Sequence, residues 1–359
     1  ARRRGVALTA LAGLLGLGIG LGIAPSAVPV RSPRSTTVPS ADDVPALSVL
    51  PSIVYGLAEP AGSLPGTGSP GDGAEWDRIR TDVVGSGGCW LRSDLNEWLS
   101  GAIDAYAWLG TAGPCSASMS SPIKVLAILD DQTVWSARRL CPGAAFSSTY
   151  RARRPDFSLD DWRLLVGCIA RRYAGRISAY EIWNEPLLPN SMLGFEDGSA
   201  AHYRDLLRVA DEEISAADPA ATVVALGGSD AWAGGDPERM DAMRDFTSQL
   251  VALGAPAWAD AISLHAYPWG AGNAAAWSSY RAEVAFQAAA WHRPVWITET
   301  GQRASDGDQV AYARTAYPIL AAAGARAIFW FSDTDQPDGD FGVRDQPVES
   351  TLRSLTLGR

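Results

Sequence analysis

Short runs of apolar, β-branched and aromatic residues recur along the chain, each followed by a longer stretch whose apolar positions repeat at helical spacing. This alternation predicts repeated βα units around a parallel sheet. Strand-like runs fall at 52–57, 89–93, 123–129, 177–183, 222–227, 259–265, 294–298 and 325–331, and helical stretches include 160–173, 200–216, 237–253, 274–290 and 309–323. Ser158 stands three residues before Asp161 as a helix cap, and Asp306 or Asp308 can open the helix that follows the seventh strand. Eight such units, each closed by a right-handed crossover, predict a single (β/α)8 TIM barrel over 51–359. An open doubly wound sheet is the alternative, but no glycine-rich turn follows the first strand, so its dinucleotide fingerprint is missing.

The pattern changes at the beginning of the chain. Arg2-Arg3-Arg4 precede an apolar run to about Ala24, the order of an export signal, and the run is also long enough for a membrane anchor. Residues 1–27 are expected to be one or the other, and 28–50, rich in Pro, Ser and Val, a flexible spacer. Either reading puts the domain outside the cytoplasm, secreted or held at the outer face of the membrane. Four cysteines, Cys89, Cys115, Cys141 and Cys168, fit disulfides in such a compartment, with three full pairings open. A net charge of −10 and a pI near 4.9 exclude a nucleic-acid partner, whose phosphates call for a dense basic patch. Oligomeric state is not encoded in any feature of the pattern.

Candidate chemistry sits where strands end, because a barrel of this kind builds its site from the loops at the C-terminal rim. The fourth predicted strand runs into Asn184-Glu185-Pro186 and the seventh into Thr298-Glu299-Thr300, so each presents a carboxylate at the mouth. Two carboxyl groups flanking one pocket suit glycosidic cleavage, in which one attacks the anomeric carbon and the other protonates the leaving oxygen. Their protonation states must differ, and Arg92 at the end of the second strand is placed to lower the nucleophile's pKa. Rival chemistries fail on the same residues. Lys124, the sole lysine, lies at the start of the third strand, the wrong end for a Schiff base. Three histidines without a His-x-His element do not make a histidine-ligated metal hydrolase, and the acidic run 333–340 lacks calcium-loop spacing, so neither metal nor cofactor is expected. Asp130-Asp131 reads equally as a hydroxyl-binding pair and as a solvated loop. Among fourteen tryptophans, Trp98, Trp135, Trp232 and Trp269 fall in βα loops and are candidates to line a cleft.

Over about residues 52–357 the sequence resembles clan A of the glycoside hydrolases, in which Asn-Glu ends strand 4 and Glu ends strand 7. The segments YEIWNEP, HAYP, TETG and FWFSD are most similar to family 39, with family 5 close behind. The resemblance implies Glu185 as acid/base, Glu299 as nucleophile and Asn184 as a hydrogen-bond donor to the sugar 2-hydroxyl. It implies that His265-Ala266-Tyr267 forms a His-x-Tyr element whose tyrosine steadies the nucleophile, and that Trp330 floors the sugar. The expected activity is retaining hydrolysis of a β-linked poly- or oligosaccharide; the alternatives are a non-catalytic carbohydrate-binding barrel or a transglycosylase of envelope glycans.

Overall fold

The computed structural model describes residues 54–59, 73–110, 114, 116–147, 150–151, 154–155, 157–187, 199–228, 234–268, 272–335 and 339–357. The expected leader, the spacer, Cys115, Trp232 and Trp269 lie outside them. The apolar runs become strands β1 (Val54–Glu59), β2 (Trp90–Asp94), β3 (Lys124–Leu129), β4 (Ala179–Ile182), β5 (Thr222–Ala225), β6 (Ala261–His265), β7 (Val295–Thr300) and β8 (Ala327–Phe331). They pair side by side in the order β1-β8-β7-β6-β5-β4-β3-β2, every neighbour parallel, and the first closes on the last. Helices α1 (Gly73–Gly85), α2 (Glu97–Ala105), α3 (Leu159–Arg172), α4 (Ala200–Ala217), α5 (Pro237–Ala252), α6 (Ala274–Trp291), α7 (Gln309–Ala322) and α8 (Pro347–Leu357) follow the strands in turn. The expected TIM barrel is thus the observed fold.

Helix starts obey local chemistry. Ser158 accepts the Asp161 amide, Asp308 accepts those of Val310 and Ala311, and Asn96 accepts those of Trp98 and Leu99, so otherwise unpartnered first-turn N–H groups are satisfied. Asp308, rather than Asp306, is therefore the cap of α7. Apolar faces of these helices cover the outward residues of the strands. Trp162 of α3 is fully buried there and donates from Nε1 to the Leu206 carbonyl of α4 at 3.0 Å. Trp98 is part of this packing: it lies in the first turn of α2 and stacks on Trp76 with ring centroids 4.0 Å apart, rather than lining a cleft.

The barrel interior alternates large and small side chains. Trp90, Trp296 and Phe329 fill its lower end, with Trp90 edge-on to Trp296 at 5.7 Å and to Phe329 at 6.5 Å. Ala179, Ala261 and Ala327 make room for them. Gly56 belongs to the same fit, since a Cβ there would lie 2.6 Å from the Trp90 carbonyl oxygen and 2.7 Å from the Phe329 ring. Lys124 holds its ammonium 5.5 Å from the centre of the Trp90 ring, at the end remote from the rim.

Two devices close the periphery. Cys141 and Cys168 form a disulfide that ties the loop after β3 to α3, and Cys89 is disulfide-bonded as well. Cross-linking residues 27 apart restricts the unfolded chain by roughly 3–4 kcal/mol in the chain-entropy account. Arg344, after β8, donates to Glu75 at 2.8 Å and Asp82 at 2.7 Å on α1 and to the buried Asp333 at 2.8 Å. Asp333 therefore serves as an ion-pair anchor for the last unit.

Replacing Gly56 by alanine is expected to lower stability by about 1–3 kcal/mol, the usual effect of overfilling a packed interior. Chemical denaturation of the two proteins checks this; an unchanged midpoint would show that the lower interior has slack.

Candidate active site

Above the aromatic layer the interior turns polar, on residues that strand alternation directs inward. From β2, Trp90 and Arg92 face the axis; from β4, Ala179 and Glu181; from β6, Ala261, Ser263 and His265. Arg92, only 2% exposed, forms the centre of the cluster. Its Nε donates to Glu181 Oε2 at 2.5 Å and its Nη1 to Glu299 Oε1 at 2.6 Å. Nη2 donates to Asn184 Oδ1 at 2.9 Å and faces His265 Nε2 at 3.2 Å.

Alternation alone does not bring the two rim glutamates inward. Thr298 faces the axis, donating from Oγ1 to Glu181 at 2.9 Å, so Glu299 would turn outward in a regular strand. β7 instead carries a bulge: Ile297 pairs with Leu264 while Glu299 pairs with His265, and the same slip occurs against β8 between Ile328 and Trp330. The extra residue lets Thr298 and Glu299 share one face, and Thr300 then turns outward to meet Tyr312 at 2.9 Å. On the other side, β4 stops at Ile182, one residue before the predicted end, because Trp183 takes φ 70° and turns its ring out against Trp162. Glu185 takes φ 48°, also in the left-handed region, and its amide donates to the Gly227 carbonyl at 2.6 Å. Non-glycine residues seldom adopt that region, and such backbone concentrates where a side chain must be aimed. Gly228 is needed beside it, since a Cβ there would overlap the His265 ring at 2.2 Å.

The result is a pair of carboxylates meeting at the mouth. Oxygens of Glu185 and Glu299 and one ring nitrogen of His265 lie within 4.8 Å of one another. The side chains of Glu185 and Glu299 are 12% and 10% exposed, enough to be touched from the rim. His265 Nδ1 is 2.7 Å from Glu185 Oε1, and Tyr267 donates to Glu299 Oε2 at 2.7 Å. Since Arg92 offers only donors, His265 Nε2 is the acceptor and Nδ1 carries the hydrogen toward Glu185. Such a trio of donor atoms is compact enough for a cation, but Arg92 already places its positive charge on Glu299 and His265, so the set is built for hydrogen bonding.

The two carboxyl groups are driven apart in acidity. Burial raises Glu185, and the charge of Glu299 adds to this; contact with His265 and the charge of Arg92 oppose it without cancelling it, so Glu185 stays above the usual range. Burial pushes Glu299 upward too, yet the pull of the His265 ring and of the Arg92 charge, with the hydrogen bonds from Tyr267 and Arg92, outweighs it and holds its carboxyl below the usual range. Tyr267, raised well above its ordinary value by burial and then by Glu299, keeps its proton and remains a donor.

Six of the seven residues singled out in the sequence, Arg92, Asn184, Glu185, His265, Tyr267 and Glu299, meet in this cluster. Trp330 does not. It is fully buried on the outward face of β8, donating from Nε1 to the Phe341 carbonyl at 3.1 Å and lying edge-on to Tyr312. Counting by twos from the inward Ala327 and Phe329 puts Phe331 at the mouth instead, 6.4 Å from Tyr267 ring to ring. Asp130 is not a solvated loop residue: it is buried and caps a short helix, Asp131–Trp135, with its carboxyl well above the usual range through burial and the adjacent Asp94 and Asp131. Trp135, at the end of that helix, is 53% exposed. Glu181 and Thr298 escaped the sequence reading; their signal is the two-residue period that carries β4 and β7 into the interior.

No family profile matches the sequence, and no curated protein matches it. Among solved structures the fold is similar to a family 39 β-xylosidase from Caulobacter crescentus, at 18% identity and a TM-score of 0.54, over 86% of this chain and 71% of that one. It is also similar to a family 39 glycoside hydrolase from Bacteroides cellulosilyticus, at 17% identity and a TM-score of 0.52, where 84% of this chain spans 63% of that one. An endo-1,4-β-mannanase from Rhizomucor miehei aligns over 87% of this chain and 96% of its own, at 14% identity and a TM-score of 0.56. At such identities the likeness establishes the common barrel.

Tyr267→Phe removes one donor from Glu299, and the midpoint of the Glu299 carboxyl should rise. Carbon-13 NMR titration of glutamate-labelled protein reads it directly; a midpoint that falls or stays put would mean the tyrosine hydroxyl does not steady the charge.

Proposed function

We propose that the chain is a retaining glycoside hydrolase that cleaves β-linked oligo- or polysaccharides by double displacement. The observation that carries this reading is the approach of Glu185 and Glu299 to within 4.8 Å with acidities displaced in opposite directions. Retaining sites keep their carboxyl groups about 5–5.5 Å apart, whereas inverting sites leave roughly 6.5–9.5 Å for a water molecule. Spacing thus favours direct attack. The β-xylosidase and the mannanase with the same fold support β-linked sugars as the substrate class.

In the proposed reaction Glu299, ionised and held by Arg92 and Tyr267, attacks the anomeric carbon. As the bond to the leaving oxygen breaks, Glu185 gives that oxygen its proton. Because Oε1 of Glu185 accepts from His265, the proton resides on Oε2. Glu185 then takes a proton from water, which displaces Glu299 and releases the sugar with its configuration kept. Asn184, already oriented by Arg92, faces the same pocket and can donate through its amide to a sugar hydroxyl. Export belongs to this reading: a disulfide between Cys141 and Cys168 suits an oxidising compartment, as the arginine-led apolar leader does.

Four measurements test the reading. Defined glycans are supplied and the first-formed anomer is read by proton NMR; the β-anomer is expected, and the α-anomer would refute double displacement, while binding without product would make the chain a carbohydrate-binding barrel. Glu299→Gln should lose turnover by several orders of magnitude with sugar binding kept. Glu185→Ala should slow substrates with poor leaving groups by about 10²–10⁴-fold, and azide should restore turnover of activated aryl glycosides. The pH profile of kcat/KM should be a bell: activity falls as acid protonates Glu299 and falls again as alkali strips Glu185, so Glu185→Gln should abolish the alkaline limb.

A further inference from the structure

Glu181 is fully buried, reaches neither the rim nor solvent, and lies four residues before Glu185. A carboxylate in such a place costs several kcal/mol unless it is well paired. The positions paired with it on β3 and β5 carry Ile128 and Val224, both buried, so packing alone has no use for an acid here. Its two oxygens are both engaged: Oε2 accepts from Arg92 Nε at 2.5 Å and Oε1 from Thr298 Oγ1 at 2.9 Å.

We propose that Glu181 is a positioning residue for Glu299: anchored through Thr298, it grips Arg92 at Nε and sets how much of the guanidinium charge reaches the nucleophile. This rests on the reaction proposed above for what Glu299 does. A guanidinium is a rigid planar fork, so fixing Nε fixes where Nη1 and Nη2 point, which is at Glu299 and Asn184. One cation is also divided between two carboxylates. If Glu181 lost its charge, Arg92 would bind Glu299 alone, and Glu299 would become a weaker base and a poorer nucleophile.

Among the described residues, the charged and titratable groups around Glu299 are few. Arg92 faces it from β2, Glu185 from the loop after β4, and His265 and Tyr267 from β6 and the residues that follow; Glu181 acts from behind Arg92. Asp94 acts on Arg92 along the same strand.

The decisive comparison is the parent with Glu181→Gln and Thr298→Val, by carbon-13 titration of the Glu299 carboxyl and by the pH dependence of kcat/KM on an aryl β-glycoside. Glu181→Gln keeps an acceptor for Nε and removes the charge. The Glu299 midpoint and the acid limb should fall together by about one pH unit, with kcat reduced about 10- to 100-fold and KM changed less. Thr298→Val leaves Glu181 to Arg92 alone and draws the guanidinium away from Glu299, so the midpoint should rise. A residue that merely packs would alter melting temperature and move neither midpoint, and that result overturns the proposal. Should Glu181→Gln fail to fold, Thr298→Val decides, and the absence of an upward shift refutes it. If the parent cleaves no glycan, the reaction reading fails, while the titration still answers the question about Glu181.

Discussion

One buried guanidinium holds the centre of this molecule together. Arg92 bonds to groups from β4, β6, β7 and the loop after β4, and its charge is what permits carboxylates to sit inside a barrel at all. Remove that cation and Glu181 and Glu299 would be negative groups in a region of low dielectric, a situation that proteins resolve by neutralising or relocating them. Its protonation is secure: burial works against the charge, but Glu181 and Glu299 outweigh it and hold Arg92 above its ordinary value. Where this charge is aimed contributes to the acidity difference between Glu185 and Glu299, beside burial and the His265 ring. Glu299 touches it directly, whereas Glu185 touches the imidazole that Arg92 orients.

The backbone bears the cost of aiming these side chains. A regular βα unit would turn alternate residues inward and stop, yet the mouth needs Thr298 and Glu299 on one face, and Asn184 and Glu185 beside each other. A bulge in β7 solves the first problem, and left-handed residues at Trp183 and Glu185 solve the second. Both departures occur on the strands that carry the carboxylates. The remaining strands can stay regular, filled from below by Trp90, Trp296 and Phe329.

Much of this was legible in the chain. Period-two runs and helical stretches gave eight units with boundaries within about two residues, because each unit buries a continuous apolar stripe that leaves a periodic trace. Rim position at strand ends points to Arg92, Glu185 and Glu299, and the resemblance to clan A adds Asn184, His265 and Tyr267. Trp330 was misplaced because a resemblance in the FWFSD segment was weighed above the strand's own alternation, which points Phe331 inward. Trp98 was assigned to a loop although Asn96 beside it is a helix cap. Glu181 and Thr298 carry no strand-end signal, because they lie one layer beneath the rim. The bulge leaves no trace in hydrophobic pattern, for it slips the register by a single residue within an otherwise ordinary strand.

That slip has a consequence for how the chain can vary. Deleting one residue between Ile297 and Glu299 would restore strict pairing on both sides of β7 without disturbing the barrel's closure, its helical shell or its aromatic floor. Glu299, then directly after the outward Ile297, would still face the interior opposite His265, but the Thr298 hydroxyl that Glu181 accepts would be gone. The extra residue of β7 therefore adds an inward hydroxyl for Glu181 beneath the carboxylate, and a strand with regular pairing has room for only one of the two.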